Sequence, residues 1–110
     1  MKQGDIWFAT LDPVIGSEQA DYRPVIVVSG NLMNTYGSVV YCCPLTSKIK
    51  NYAGNPILEP STENGLKVTT EVMIHQMRSI SIKRLKTKVG KVDAGVVNQI
   101  KQTINDIIDL

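Results

Sequence analysis

An arginine stands directly before a proline at Arg23-Pro24, closing the stretch Gly16-Ser17-Glu18-Gln19-Ala20-Asp21-Tyr22. A proline holds the preceding residue in extended backbone, so Arg23 is expected at a defined loop–strand junction. There its guanidinium can offer a planar, permanently charged fork to a phosphate. The plainer reading is a rim arginine paired with Glu18 or Asp21, since most loop charges do nothing special. A second candidate is Leu45-Thr46-Ser47-Lys48, where two hydroxyls and an ammonium follow an apolar run. That set suits a phosphate cradle and is also ordinary turn chemistry. A third is His75-Gln76-Met77-Arg78, which holds the only histidine. Imidazole is the side chain best suited to moving protons near neutrality, although a lone histidine is often a plain polar residue. Tyr22, Tyr36 and Tyr52 can stack on bases or simply pack. Trp7 and Met73 read most simply as core.

The formal net charge of +2 does not by itself require a polyanionic partner. Its distribution is uneven. Lys83, Arg84, Lys86, Lys88 and Lys91 fall in a stretch without acids, whereas Asp93, Asp106 and Asp109 mark the C-terminal segment. Such a strip can hold phosphates on a nearly neutral molecule, yet charge alone favours a solvated face. Cys42 and Cys43 are adjacent, and strand neighbours point to opposite faces, so they are poor disulfide partners. No Cys/His spacing suggests zinc, and neither a metal nor a cofactor is expected. Met1-Lys2-Gln3-Gly4-Asp5 has no apolar signal region, and no segment approaches membrane-spanning length. A reduced, cytoplasmic protein is the expectation.

These candidates need a frame. The 110 residues suit one domain over 1–110, with 43% hydrophobic but only 5% aromatic side chains. The core must therefore come from Val, Ile and Leu, a bias that favours strands. Ile6 to Leu11 reads as a first strand, followed by a long aperiodic loop over 14–22. Val25-Ile26-Val27-Val28 fits a strand buried on both faces. Asn31 to Thr35 suggests a helical turn, and Ser38 to Leu45 a further strand. After the polar segment Thr46 to Gly54, Pro56 to Glu59 reads as a short edge strand and Ser61 to Gly65 as a turn. Val68 to Ile74 and Met77 to Ile82 suggest two strands or one bent strand, and Lys88 to Val92 a last one. Asp93 is a candidate N-cap for a helix whose Val97, Ile100, Ile104 and Ile107 (or Ile108) recur at helical spacing. Many short strands and one amphipathic helix predict a small, strongly curved antiparallel barrel with the helix packed on it.

From end to end and in this order, Gly4-Asp5-Ile6-Trp7, Leu11-Asp12-Pro13, Gly16-Ser17-Glu18-Gln19, Arg23-Pro24-Val25-Ile26-Val27-Val28, Pro44-Leu45-Thr46-Ser47 and Gln76-Met77-Arg78-Ser79-Ile80 resemble the MazF/PemK family of toxins. The Gly-Ser-Glu-Gln and Arg-Pro-Val elements are specific, and the others support them. The resemblance implies an SH3-like barrel, a homodimer, and a metal-independent endoribonuclease (mRNA interferase) site at the dimer groove. It implies Arg23 and Thr46 as the central active-site pair, with Glu18 lining the RNA-binding loop. Ser17, Gln19, Ser47, Lys48, Lys50, Gln76 and Arg78 are the RNA-binding candidates around them. In one respect the chain departs from the pattern: many relatives place an acidic residue where this chain has His75. Their acid/base assignment therefore does not carry over.

A ribonuclease without metal can use the 2′-hydroxyl as nucleophile, leaving a 2′,3′-cyclic phosphate and a 5′-hydroxyl. On that chemistry Arg23 would take the phosphoryl charge, and Thr46, with Ser47 in support, would orient the phosphate. Glu18 or His75 would be the base, because a guanidinium does not readily lose its proton, and Arg23 as the acid, in a site that lowers its pKa, is the lesser alternative. The substrate is expected to be single-stranded RNA, whose base edges are open to reading. The resemblance also implies an antitoxin partner with an acidic, partly disordered segment, and DNA binding only through that partner. Two alternatives share the scaffold. One is a CcdB-like gyrase-binding toxin without catalysis, and the other a non-catalytic SH3-like nucleic-acid-binding module.

Overall fold

The computed structural model describes residues 1–11 and 21–109, Asp21 by its backbone alone. It contains strands β1 (Asp5–Leu11), β2 (Asp21–Val27), β3 (Val39–Thr46), β4 (Ile57–Leu58), β5 (Thr70–Val72), β6 (Arg78–Ser81) and β7 (Leu85–Lys91). Its helices are α1 (Asn31–Tyr36) and α2 (Ala94–Ile108). Val25, Ile26 and Val27 are buried on both sheet faces, as a continuous β-branched run requires. α2 starts where the Asp93 side chain accepts a hydrogen bond from the Val96 N–H at 3.0 Å, the cap expected for it.

The strands are antiparallel in the order β4-β5-β3-β2-β1-β7, with β6 also on β3. β3 is the hub. One of its edges carries β2, while the other is shared by β6 along Val39–Cys42 and by β5 at Leu45 and Thr46. A 3₁₀ turn at Ile74–Gln76 separates β5 from β6, so the run read as two strands or one bent strand is two strands. That turn carries His75.

Register shifts between β1 and β7 add local twist and help the sheet to curl. The turn after β4 reaches back to the far end, where the Lys91 N–H donates to the Glu63 carbonyl at 3.1 Å. The approach needs Gly65, whose φ is +67° and where a Cβ would collide with the Val89 carbonyl. The result is a curled antiparallel half-barrel with a C-terminal helix.

Two apolar clusters lie on the two faces of the sheet. Ile6, Ile26, Cys43, Leu45, Val72 and Ile100 form one, which α2 covers with partly buried Val96 and Ile104. Ala9, Val25, Val27, Val40, Cys42 and Ile80 form the other. Of the expected helical stripe, Ile100 is buried, whereas Ile107 and Ile108 are exposed beyond the core. Among the described residues no helix is long and apolar enough to cross a membrane.

Candidate active site

β2 and β3 pair with Val25 opposite Pro44. Arg23 and Thr46 each lie two residues beyond that last pair, at the same end of the two strands. Strand alternation puts Arg23 on the face of Val25 and Val27, and Thr46 on the face of Val40 and Cys42. The apolar part of both strands thus anchors two polar residues at its end. Both are half-buried.

Three cavities meet at Arg23. One of about 490 Å³ is shared with Phe8, Tyr22, Thr46, Ser47 and Lys48. A second, of about 550 Å³, adds Leu11, Pro44, Gln76, Arg78 and Ser79. The third, of about 350 Å³, brings in Thr46, Lys50, Tyr52, His75 and Gln76. Arg23 and Thr46 therefore border common space with the cations Lys48 and Lys50, and through Arg23 the second cavity extends this cationic ring to Arg78. An anion is the complementary occupant of such a ring. The Thr46 Oγ1 accepts the Lys48 N–H at 3.1 Å, which leaves the hydroxyl proton to be donated elsewhere. Exposed His75 sits edge-on to Tyr52, with ring centroids 5.4 Å apart.

The sequence reading missed Glu71. It pairs with Thr46 across β3 and β5 and is 1% exposed. Its carboxylate accepts the backbone N–H groups of Lys50 (2.7 Å), Asn51 (2.8 Å) and Tyr52 (3.1 Å), and the Asn55 side-chain amide (2.9 Å). Burial alone would raise its pKa above 4.5, but the bonds from Asn55, Asn51, Lys50 and Tyr52 outweigh it and bring it to about 2. Glu71 is thus an anion near neutrality, beneath the loop that carries Lys48 and Lys50. The available signal was a single carboxylate within the run Val68 to Ile74, which was read as strand.

The remaining expectations divide. Ser47, Lys48, Lys50, His75, Gln76 and Arg78 all border the space around Arg23. Ser17, Glu18 and Gln19 lie outside the described residues. None of the basic residues Lys83, Arg84, Lys86, Lys88 and Lys91 lines these three cavities. Instead Arg84 donates to the Thr10 carbonyl (3.3 Å), Lys86 to the Lys83 carbonyl (3.0 Å), and Lys88 lies 3.6 Å from Asp5. Tyr22 stacks on Phe8 at 5.2 Å. Cys42 and Cys43 enter opposite clusters as free thiols. Burial pushes Cys42 up to about 11 against the lowering effect of Arg78, and pushes Cys43, next to Cys42, up to about 12. Neither is a nucleophile. Among the described residues no group of three or more His, Cys, Asp or Glu could hold a metal ion.

Comparison with known proteins places the chain in a family. A family model described as "PemK-like, MazF-like toxin of type II toxin-antitoxin system" matches residues 2–108. Endoribonuclease MazF9 of Mycobacterium tuberculosis is 33% identical over 115 residues, covering 100% of this chain and 98% of that protein. Endoribonuclease toxin MazF of Escherichia coli K12 is 31% identical over 96% of this chain and 91% of its own. A crystal structure of MazE-MazF from Deinococcus radiodurans superposes with a TM-score of 0.82 at 22% identity, covering 100% of this chain and 96% of that one. At that identity the superposition speaks for the fold.

Proposed function

The chain belongs to the PemK-like, MazF-like toxin family of type II toxin–antitoxin systems, and from that premise we propose that it is an endoribonuclease whose active centre is the meeting point of Arg23 and Thr46. Full-length relatives that are endoribonucleases support the activity and do not favour a gyrase-binding toxin or a non-catalytic module. The observation that carries the assignment is the common space bordered by Arg23 and Thr46 at the open end of β2 and β3.

A phosphodiester of single-stranded RNA enters this space. Its 2′-hydroxyl attacks the adjacent phosphorus in line, the 2′-oxygen to phosphorus bond forms, and the bond to the 5′-oxygen breaks. The Arg23 guanidinium donates to the non-bridging oxygens as their charge grows, and the Thr46 hydroxyl donates to the same group. Ser47 supports this contact, while Lys48, Lys50, Gln76 and Arg78 hold the flanking backbone and bases. His75 or Glu18 takes the 2′-hydroxyl proton; exposure of the imidazole beside the cavity supports the former. The protonated base then gives that proton to the departing 5′-oxygen, which completes the step. Products are a 2′,3′-cyclic phosphate and a 5′-hydroxyl, and no metal takes part.

The working unit is a cytoplasmic homodimer held by an antitoxin whose acidic segment enters the cationic ring. Large exposed apolar side chains such as Leu32 and Tyr36 on α1 support self-association. An antitoxin partner is supported by membership of a toxin family of type II toxin–antitoxin systems. The test is incubation of purified protein with an unstructured RNA in EDTA, followed by end analysis. Cyclic-phosphate ends are expected, and an RNA carrying a 2′-deoxy sugar at the cut site is expected to survive. Activity that is lost in EDTA and restored by Mg²⁺, or cutting of the deoxy substrate, would refute the mechanism.

A further inference from the structure

We propose that Glu71 is a positioning residue for the RNA site, one that sets Lys50 and Tyr52 as the cavity wall facing Arg23 and Thr46, where Tyr52 stacks on a base next to the scissile phosphate. The inference rests on the endoribonuclease reading above and deepens it.

Three consecutive backbone N–H groups converge on this one carboxylate, which fixes three successive peptide units at once. The central unit contains Asn51 at φ +57°, a left-handed conformation that a non-glycine residue adopts at a cost and keeps when its surroundings demand it. The far end of the same loop is tied independently. The Thr103 hydroxyl of α2 donates to the Gly54 carbonyl at 2.7 Å, and Asn55 accepts from the Ile74 N–H at 3.3 Å while donating to Glu71. The loop is thereby braced against β5, α2 and the turn that carries His75.

Glu71 is also the cross-strand partner of Thr46, so the loop is referenced to the strand pair that presents the hydroxyl. Tyr52 ends the clamped segment, remains 53% exposed and meets His75 edge-on. Its ring therefore keeps surface for a base, and base–aromatic stacking tolerates any base. Glu71 borders the same cavity as Tyr52 and His75 but is 1% exposed with both oxygens engaged, so it acts through the loop and not by contact with RNA.

The experiment is steady-state cleavage of an unstructured RNA by wild type, Glu71→Gln, Tyr52→Ala, Lys50→Ala and the Glu71→Gln/Tyr52→Ala pair. Glutamine keeps the shape but turns an N–H donor toward two of the clamped donors. Its KM is expected to rise about ten-fold with kcat within about three-fold, the signature of lost binding common to ground and transition states. Tyr52→Ala is expected to do the same, and the double variant to be no worse than about two-fold beyond either single, because both remove one contact. The pH profile of kcat/KM keeps its shape. Wild-type KM in Glu71→Gln, a fall in kcat at unchanged KM, or losses that multiply in the double variant would each overturn the inference. If Glu71→Gln does not fold, the exposed variants decide, and unchanged KM in both Tyr52→Ala and Lys50→Ala overturns it. Failure of wild type to cleave would instead bring down the parent reading.

Discussion

Glu71→Gln also perturbs stability, in a way that depends on pH. Burial on its own would raise the carboxyl above 4.5, and the four hydrogen bonds it accepts lower it to about 2. A carboxyl whose folded-state pKa lies below its unfolded value stabilises the fold above the unfolded pKa. That stabilisation is lost as pH falls through the folded one. At 1% exposure the desolvation that opposes these bonds is large, so the net stabilisation from this group is on the order of 1–3 kcal/mol. Wild type is therefore expected to lose on the order of 1–3 kcal/mol through it as pH falls from about 5 to about 2. Glu71→Gln cannot titrate there and leaves two buried donors facing an amide N–H₂, so it starts ~2–4 kcal/mol lower near neutrality. The gap should close with acid. Urea unfolding of both proteins across that range reads the effect directly, because the other carboxylates are common to both. Two stability curves that stay parallel down to about pH 2 would refute the assignment of this carboxylate as a clamped anion.

Arg23→Lys keeps the charge and loses the fork, and its single-turnover cleavage rate is expected to fall roughly 10²-fold at saturating RNA, the usual cost of removing a transition-state donor. A rate within about two-fold of wild type would count against bidentate contact. Ile100→Ala removes the α2 side chain most deeply set in the cluster under the helix, and urea unfolding should show a loss of ~2–5 kcal/mol. A loss below about 1 kcal/mol would mean that α2 is not a structural cover of the sheet.

Strands β1, β2 and β3 and helix α2 were legible because each is announced by local chemistry. Examples are the apolar run Val25-Ile26-Val27 and the Asp93 cap ahead of Ile100 and Ile104. The grouping of Arg23 with Thr46 was implied by resemblance, not by spacing, since they are 23 positions apart and only the pairing of β2 with β3 brings their ends to one space. Glu71 was illegible for a related reason. A glutamate in a strand usually faces water, and nothing local shows that a loop 20 residues away will fold its amides over the carboxylate. The helical stripe was read as running to Ile107 or Ile108, but periodicity cannot tell where the surface beneath a helix ends. The basic run from Lys83 to Lys91 is spread over a turn and a strand, and the backbone carbonyls and carboxylate its members meet are set by β1 and β7 pairing.

The central claim is that one guanidinium and one hydroxyl act on the same phosphate. A double-mutant cycle of Arg23→Ala and Thr46→Val, read as single-turnover cleavage rates, measures this most directly. Shared action predicts a coupling of at least ~1 kcal/mol, so that the double variant is clearly faster than the product of the two losses allows. Losses that simply multiply would contradict it, because Arg23 and Thr46 would then be working on separate parts of the RNA.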